Sequence, residues 1–373
     1  MTKQINKNML ENNELNKENI AVLSKAATRL ESKESKFIFC VPESISPSAS
    51  VYEIYTHANV VKSMGYNVII MTENTDLKAP EWMESSLGDL KHVLISDSKI
   101  NVSPDDFMVI PEVFTNIMEQ VKNLPCKKIC LLQSFDYMLN GLIPGSDIEL
   151  FGINDIITTS ETLKNMLNTF YGEKFKVETY NIGIPDYFHA SDKPQNPVIS
   201  IVGRNNNDIT KVIKLFFSKY PHLKWITFDP LLTNTKPPTQ LDRVSFAERL
   251  RNNFAAVWID RIASFGTFPV ECMKSGVIPI FIVPDIEPEY LKNDQGEYVE
   301  AGMYTSNIYD LPIMIGDLLT KFIDDSIPEG IYETMAEISK RYDMSNSIEQ
   351  ITNIYAKYAE ERISFLKNAI NLQ

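Results

Sequence analysis

The chain has 373 residues, of which 44% are hydrophobic and 23% charged, and its mean hydropathy is -0.16. This length and composition are typical of a globular protein with two domains. No apolar run reaches the roughly 20 residues that a membrane span needs. The N-terminal residues are polar and show no hydrophobic signal region, so we do not expect secretion by that route. The 36 basic and 49 acidic residues give a net charge of -13, which argues against sequence-independent binding to nucleic acid or anionic lipid.

The four cysteines lie among apolar neighbours. Cys126 and Cys130 have a CxxxC spacing, but no histidine or second cysteine pair completes a metal site. We therefore expect buried, reduced thiols in a cytoplasmic protein, and no bound metal.

The first half of the chain alternates between short apolar runs and helical segments. Residues 1–35, which are charged and rich in asparagine, predict a mobile arm with one helix around Ile20–Leu30. Ser50 is the predicted N-cap of the first helix after this arm. Continuous apolar strands separated by helices predict a parallel sheet that is buried on both faces. The predicted strands are 37–41, 66–71, 106–110, 127–132 and 155–158, and the predicted helices are 51–64, 112–123 and 160–170.

The second half repeats this alternation after residues 185–197, where three prolines and polar residues predict a linker. The fold class is therefore α/β, with two tandem Rossmann-like, doubly wound domains over residues 36–190 and 191–346 that face a cleft. An amphipathic helix over 347–369 is predicted to cross back onto the first domain and to bury an apolar face formed by Ile348, Ile351, Ile354, Tyr355, Tyr358 and Ile363. The remaining predicted strands are 198–202, 223–228, 255–259 and 277–283, and the remaining helices are 208–219, 244–253, 270–275, 308–323 and 329–341.

Ligands of such sheets bind at the carboxyl ends of the strands. The residues just after each predicted strand are therefore candidates to line the cleft. In the first domain these are Glu43, Glu73, Glu112, Gln133 and Asp136, and in the second Gly203, Arg204, Asp229, Asp260 and Asp285.

Two segments of the second domain have the chemistry to bind a diphosphate. In SFGTFPVECMKSGVIPI (264–280), a glycine-containing loop leads into a short helix, whose N-terminal amides and dipole favour an anion. Glu271, near the start of that helix, could accept hydrogen bonds from ribose hydroxyls; the alternative is a carboxylate that only interacts with the helix dipole. In IVGRNNNDITK (201–211), the guanidinium of Arg204 is a forked hydrogen-bond donor and the ammonium of Lys211 is a point charge, and together they suit a diphosphate. The alternative is that both side chains are only solvated.

These segments resemble those of the GT-B glycosyltransferases, especially the retaining family 4. The spacing of Gly266, Glu271 and Gly276 is similar to the donor-site motif of that family, and residues 201–211 resemble the start of its second domain. IITTSETLKNMLNTFYG (156–172) and VETYNIGIPDYF (177–188) resemble the end of its first domain. The matches occur in the family's order and extend over most of the chain.

The resemblance implies a GT-B fold and transfer of a sugar from a nucleotide-diphosphate sugar, which is a co-substrate, so no cofactor is expected. The absence of a DxD motif favours a site that needs no metal. Glu271 would bind the ribose, and Arg204 and Lys211 would bind the diphosphate. Four further residues would lie beside the sugar or phosphates: Gly203, Phe265, Gly266 and Thr267.

One departure from the family leaves the catalytic residue unassigned. Where the family has a glutamate near the reacting centre, eight residues before Glu271, this chain has Ala263. The remaining candidates are Asp136 and His57. A glycosyltransferase-like protein that only binds or has a structural role is therefore the second hypothesis. A third is a phage-type glycosyltransferase acting on modified DNA bases, which the net charge of -13 argues against and a strongly basic cleft would favour.

Overall fold

The computed structural model describes residues 2–44, 47–96, 101–191, 196–231, 241–261 and 265–371, with side chains described from residue 17 onward. Within these residues, seven parallel strands form a first sheet in the order β3-β2-β1-β4-β5-β6-β7. The strands are β1 (Lys36–Val41), β2 (Asn67–Thr72), β3 (Lys91–Leu94), β4 (Phe107–Pro111), β5 (Lys127–Leu132), β6 (Asp155–Thr158) and β7 (Lys176–Thr179).

A second parallel sheet follows, and its order among the described residues is β12-β11-β10-β8-β9. Its central strand, β10, is buried along its whole length. The strands are β8 (Asn196–Gly203), β9 (Thr227–Asp229), β10 (Asn253–Ile259), β11 (Ile278–Ile282) and β12 (Met303–Thr305).

Helices separate most of these strands, as parallel sheets require. None of the described helices is both long enough and apolar enough to cross a bilayer. The helices are α1 (Thr2–Glu31), α2 (Ala49–Ser63), α3 (Thr115–Val121), α4 (Phe135–Asn140), α5 (Glu161–Tyr171), α6 (Asn206–Lys219), α7 (Arg243–Leu250), α8 (Thr267–Lys274), α9 (Leu311–Ile323), α10 (Glu329–Lys340) and α11 (Met344–Asn371).

The predicted fold class is confirmed, with corrections to single elements. The N-cap of α2 is Ser48, not Ser50. The backbone of Ser48 is extended, and its Oγ accepts a hydrogen bond from the backbone N–H of Val51, with 3.4 Å between oxygen and nitrogen. The predicted strand at 223–228 is largely a turn, and β9 begins only at Thr227. The four cysteines are buried and unpaired with one another.

The N-terminal segment, predicted as a mobile arm with one helix at Ile20–Leu30, forms a helix over Thr2–Glu31. Its last turns pack against the molecule, since Ala26, Ala27 and Leu30 are buried. These residues recur at helical spacing and form one apolar stripe, which α11 covers.

Helix α11 joins the two halves of the molecule. Near its start, Lys274 of α8 lies 3.0 Å from the carboxylate of Asp343. Further along, the ring of Tyr355 packs edge-on against Phe37 of β1, and its hydroxyl lies 3.0 Å from Nδ1 of His57 on α2. The helix therefore crosses back onto the first sheet. Ile348, expected on its buried face, is 41% exposed.

Tyr355→Ala should lower the free energy of unfolding by about 3–5 kcal/mol, because it removes a fully buried ring between α11 and the first sheet. Equilibrium urea unfolding measures this loss. The control, Phe365→Ala, truncates a ring that is 58% exposed on the same helix and should cost less than about 1 kcal/mol. Equal losses in the two variants would contradict the described packing of α11.

Candidate functional site

The carboxyl ends of both sheets open into one cleft. On the side of the second sheet lies a cavity of ≈ 170 Å³, lined by Gly203 at the end of β8, by Arg204 and Asp260 just after β8 and β10, and by residues of α7 and α8. A larger cavity of ≈ 500 Å³ extends to the first sheet. Both cavities share several lining residues, Arg204, Trp258, Asp260 and Thr267 among them, so we describe them together as the cleft.

The N-terminus of α8 faces this cleft. The preceding Gly266 has a φ of +70°, and a Cβ there would lie 2.2 Å from the ring of Trp258, so only glycine fits. No described side chain caps the helix, and both Thr267 and Phe268 line the cleft. Because the first amides of a helix have no partner within it, this end of α8 presents N–H groups and a positive dipole to an anion.

Glu271 lies in the second turn of α8 rather than near its start, because the helix begins at Thr267 and not at Val270 as predicted. Its Oε1 accepts a hydrogen bond from Nη2 of Arg243 at 2.9 Å, and both residues are buried. The carboxylate is therefore held by an ion pair rather than by the helix dipole. Its Oε2 makes no hydrogen bond to any residue that the structure describes, and Glu271 lines the cleft.

Arg204 crosses the cleft from the second sheet to the first. Its Nε lies 2.7 Å from Oδ2 of Asp260, and its Nη1 donates to the hydroxyl of Tyr137 on α4. Its side chain remains 54% exposed. A guanidinium has five N–H donors, so these two bonds leave donors for a ligand.

Lys211, predicted beside Arg204, does not line the cleft. Its Nζ lies 2.9 Å from Oδ1 of Asp208, one helical turn earlier on α6. The helical repeat thus directs this lysine along the helix surface.

His57 and Asp136, the candidates for catalysis, also lie outside the cleft lining. His57 is fully buried between Tyr180 and Tyr355, and this burial lowers its pKa to about 3. The ring therefore stays neutral and belongs to the core. Asp136 lies in the first turn of α4, where its neighbours Ser134 and Tyr137 line the cleft instead.

Of the other residues predicted after strands, Glu112 and Gln133 line the first-sheet side of the cleft. Gln133 donates from Nε2 to the carbonyl of Ser50 at 3.0 Å. Oε1 of Glu112 accepts the backbone N–H of Ser134 at 2.9 Å, and burial raises the pKa of this carboxyl to about 7. The remaining candidates lie outside the cleft lining: Glu43, Glu73, Asp229 and Asp285.

Several lining residues were not predicted from the sequence: Arg243, Trp258, Tyr137, Ser134 and Thr159. Thr159 directly follows β6, so the rule applied to the other strands would have found it. Arg243 does not follow a strand, so that rule would not have found it. It reaches the cleft because the fold packs its side chain against Glu271 of α8.

Comparison with known proteins supports the fold. No protein-family model and no curated protein matches the sequence. Among solved structures, a sucrose-phosphate synthase from Thermosynechococcus elongatus is 11% identical, with a TM-score of 0.59 over 87% of this chain and 99% of that one. A glycosyltransferase from Rickettsia africae is 15% identical, with a TM-score of 0.58 over 88% and 99%.

The pneumococcal O-GlcNAc transferase GtfA, in complex with UDP and GlcNAc, is 9% identical, with a TM-score of 0.57 over 88% of this chain and 99% of that one. At such low identities the likeness shows a common fold. Together with the two parallel sheets, it identifies the architecture as that of the GT-B glycosyltransferases.

Arg243→Met should lower the free energy of unfolding by about 3–5 kcal/mol, because it leaves the buried carboxylate of Glu271 without a partner. Adding Glu271→Gln should recover part of that loss, since the uncompensated charge is then gone. Urea unfolding of the two single variants and the double variant measures this coupling.

Lys78→Met, which breaks the exposed pair with Glu81, is the control and should leave the free energy of unfolding nearly unchanged, because solvent screens that pair. If Arg243→Met were no more destabilising than Lys78→Met, the buried ion pair would not have the structural role assigned to it.

Proposed function

We propose that the protein is a glycosyltransferase of the retaining family 4 type that binds a nucleotide-diphosphate sugar and transfers the sugar to an acceptor. The observation that carries this proposal is the N-terminus of α8, which faces the cleft without a side-chain cap, with Arg204 lining the same cavity. Helix amides and a forked cation together suit a diphosphate.

In this proposal, the second sheet holds the donor. The diphosphate binds the amides at the start of α8 and the remaining donors of Arg204. Oε2 of Glu271 accepts hydrogen bonds from the ribose, while Arg243 fixes the orientation of that carboxylate. As the bond between sugar and phosphate breaks, the same amides and guanidinium stabilise the negative charge that develops on the leaving group.

Two further observations support this assignment. GtfA, one of the proteins with a similar fold, was solved with UDP and GlcNAc. The motif around Gly266 and Glu271, which resembles that of family 4, lies in the cleft in this structure. That the reaction needs neither metal nor cofactor remains a prediction.

The two alternative hypotheses predict different properties of the cleft. A glycosyltransferase-like protein without turnover would bind the donor but release no sugar. Ala263, on which that hypothesis rests, lies outside the described residues. An enzyme acting on DNA would need a strongly basic cleft. The charged residues described along the cleft are instead two arginines with three carboxyl groups: Arg204, Arg243, Glu112, Asp260 and Glu271.

Arg204→Ala should weaken nucleoside-diphosphate binding by about 1.5–3 kcal/mol, because it removes charge-assisted hydrogen bonds to the phosphates. Isothermal titration of the wild type with UDP, GDP, ADP and TDP first identifies the nucleotide that binds. The variant is then titrated with that nucleotide.

Lys211→Ala is the matched control, because it removes a neighbouring cation that pairs with Asp208 outside the cleft lining. Its affinity should equal that of the wild type. Equal affinity in wild type and Arg204→Ala would show that Arg204 does not bind the diphosphate. The lack of binding by any of the four nucleotides would contradict the proposed function itself.

A further inference from the structure

The hydroxyl of Tyr137 is a group of the first half that contacts the second half inside the cleft. It accepts a hydrogen bond from Nη1 of Arg204, whose guanidinium carbon lies 6.0 Å from the centre of the tyrosine ring. Both residues line the ≈ 500 Å³ cavity, together with Thr267 and Phe268 at the start of α8. The tyrosine therefore shares a cavity with the two groups to which the proposed function assigns the diphosphate.

The short helix α4 holds this tyrosine at the cavity. Phe135 and Met138, three residues apart, are buried in the core of the first half, and Phe135 stacks on Phe170 of α5 with 5.8 Å between the ring centres. Residues three apart share one face of a helix, so Tyr137 lies on a different face. Because two buried side chains anchor α4, the half-buried Tyr137 stays at the cavity that it lines.

A second, independent contact fixes this part of the first half against the second half. Oε1 of Glu289, which follows β11, accepts the backbone N–H of Thr162 at the start of α5, at 2.8 Å. Ile286, in the same segment, is buried in the core cluster of the first half. Helix α5 also carries Phe170, which packs on α4. The position of Tyr137 opposite the second half therefore does not depend on its bond to Arg204 alone.

The hydroxyl of Tyr137 can also donate a hydrogen bond. A phenolic hydroxyl both accepts and donates, and no residue in the described part of the chain accepts the proton of this one. The Nε of Arg204 lies 2.7 Å from Oδ2 of Asp260, so the Nη side of the guanidinium remains for a ligand. Two oxygens bound to one guanidinium lie about 3–5 Å apart. A phosphate oxygen bound by Arg204 is therefore within reach of the tyrosine hydroxyl.

The charges of the cleft show why a neutral donor matters. The described lining residues include two cations, and both already face a carboxylate: Arg204 faces Asp260, and Arg243 faces Glu271. A diphosphate is charged on both phosphate groups, and paired cations neutralise it only in part. Neutral N–H and O–H groups must then bind the remaining phosphate oxygens, as they do where an enzyme stabilises a developing negative charge.

We propose that Tyr137 donates a hydrogen bond to a phosphate oxygen of the bound nucleoside diphosphate, so that both halves of the molecule hold the diphosphate. This inference rests on the proposed function and adds to it a binding residue from the first half. The hydrogen bond persists when the bond between sugar and diphosphate breaks and its electron pair leaves with the diphosphate. The hydroxyl keeps its proton and only stabilises the charge of the leaving group.

The test is isothermal titration of the full chain. Titration of the wild type with UDP, GDP, ADP and TDP first identifies the nucleotide that binds. Tyr137→Phe then removes the hydroxyl but keeps the ring beside Arg204. We expect the affinity for that nucleotide to fall about 10-fold or more, because a hydrogen bond to a charged group is lost.

Tyr309→Phe is the matched control, because it makes the same chemical change beside another cation of the second half. The Nζ of Lys211 lies 5.9 Å from the centre of the Tyr309 ring, and neither residue lines the cleft. This variant should bind the nucleotide with the affinity of the wild type.

A cycle of variants separates a direct contact from an effect through Arg204. If Tyr137 only orients the guanidinium, adding Tyr137→Phe to Arg204→Ala changes nothing. A direct bond to the phosphate instead predicts a further loss of affinity, of about threefold or more, in the Arg204→Ala background.

Three results would overturn the inference while leaving nucleotide binding intact. They are an unchanged or higher affinity of Tyr137→Phe, an equal loss in Tyr309→Phe, and no further loss in the Arg204→Ala background. If the wild type bound none of the four nucleotides, the proposed function would fail, and this inference with it.

Discussion

The guanidinium of Arg243 lies between the two halves of the molecule and contacts both. Its plane packs over the ring of Tyr52 on α2, 4.6 Å from the ring centre, and its Nη2 donates to Glu271 on α8. The backbone N–H of Arg243 donates a hydrogen bond to the carbonyl of Trp82, a residue of the first half, at 3.3 Å. A buried charge is tolerated only with such partners, so the position of α7 depends on both halves at once.

This constraint also orients the cleft. Arg243 holds one oxygen of Glu271 and directs the carboxylate along the cavity, where the N-terminus of α8 and Arg204 provide sites for an anion. The opposite side carries a carboxyl and several hydroxyls. The two sides of the cleft therefore differ in their chemistry: the second-sheet side has the helix N-terminus and a guanidinium, and the first-sheet side has a carboxyl and hydroxyls.

The fold was predictable because buried parallel strands have a local signature. The apolar runs at 127–132 and 155–158 coincide with β5 and β6. The short strand β3 was missed, since its residues are exposed or only half-buried and show no continuous apolar run. Single site residues were harder to predict. Lys211 has the right charge but points along its helix, and the link from Arg243 to Glu271 joins elements that are distant in sequence. Such placements depend on tertiary packing, which no local pattern encodes.

The central claim, that a nucleoside diphosphate binds at the start of α8, is tested most directly by amide hydrogen exchange. The full chain is compared with and without an equimolar mixture of UDP, GDP, ADP and TDP. We predict slower exchange for the amides of Thr267 and Phe268, because a bound diphosphate would accept their hydrogen bonds. Unchanged exchange at these two amides in the presence of the mixture would contradict the claim.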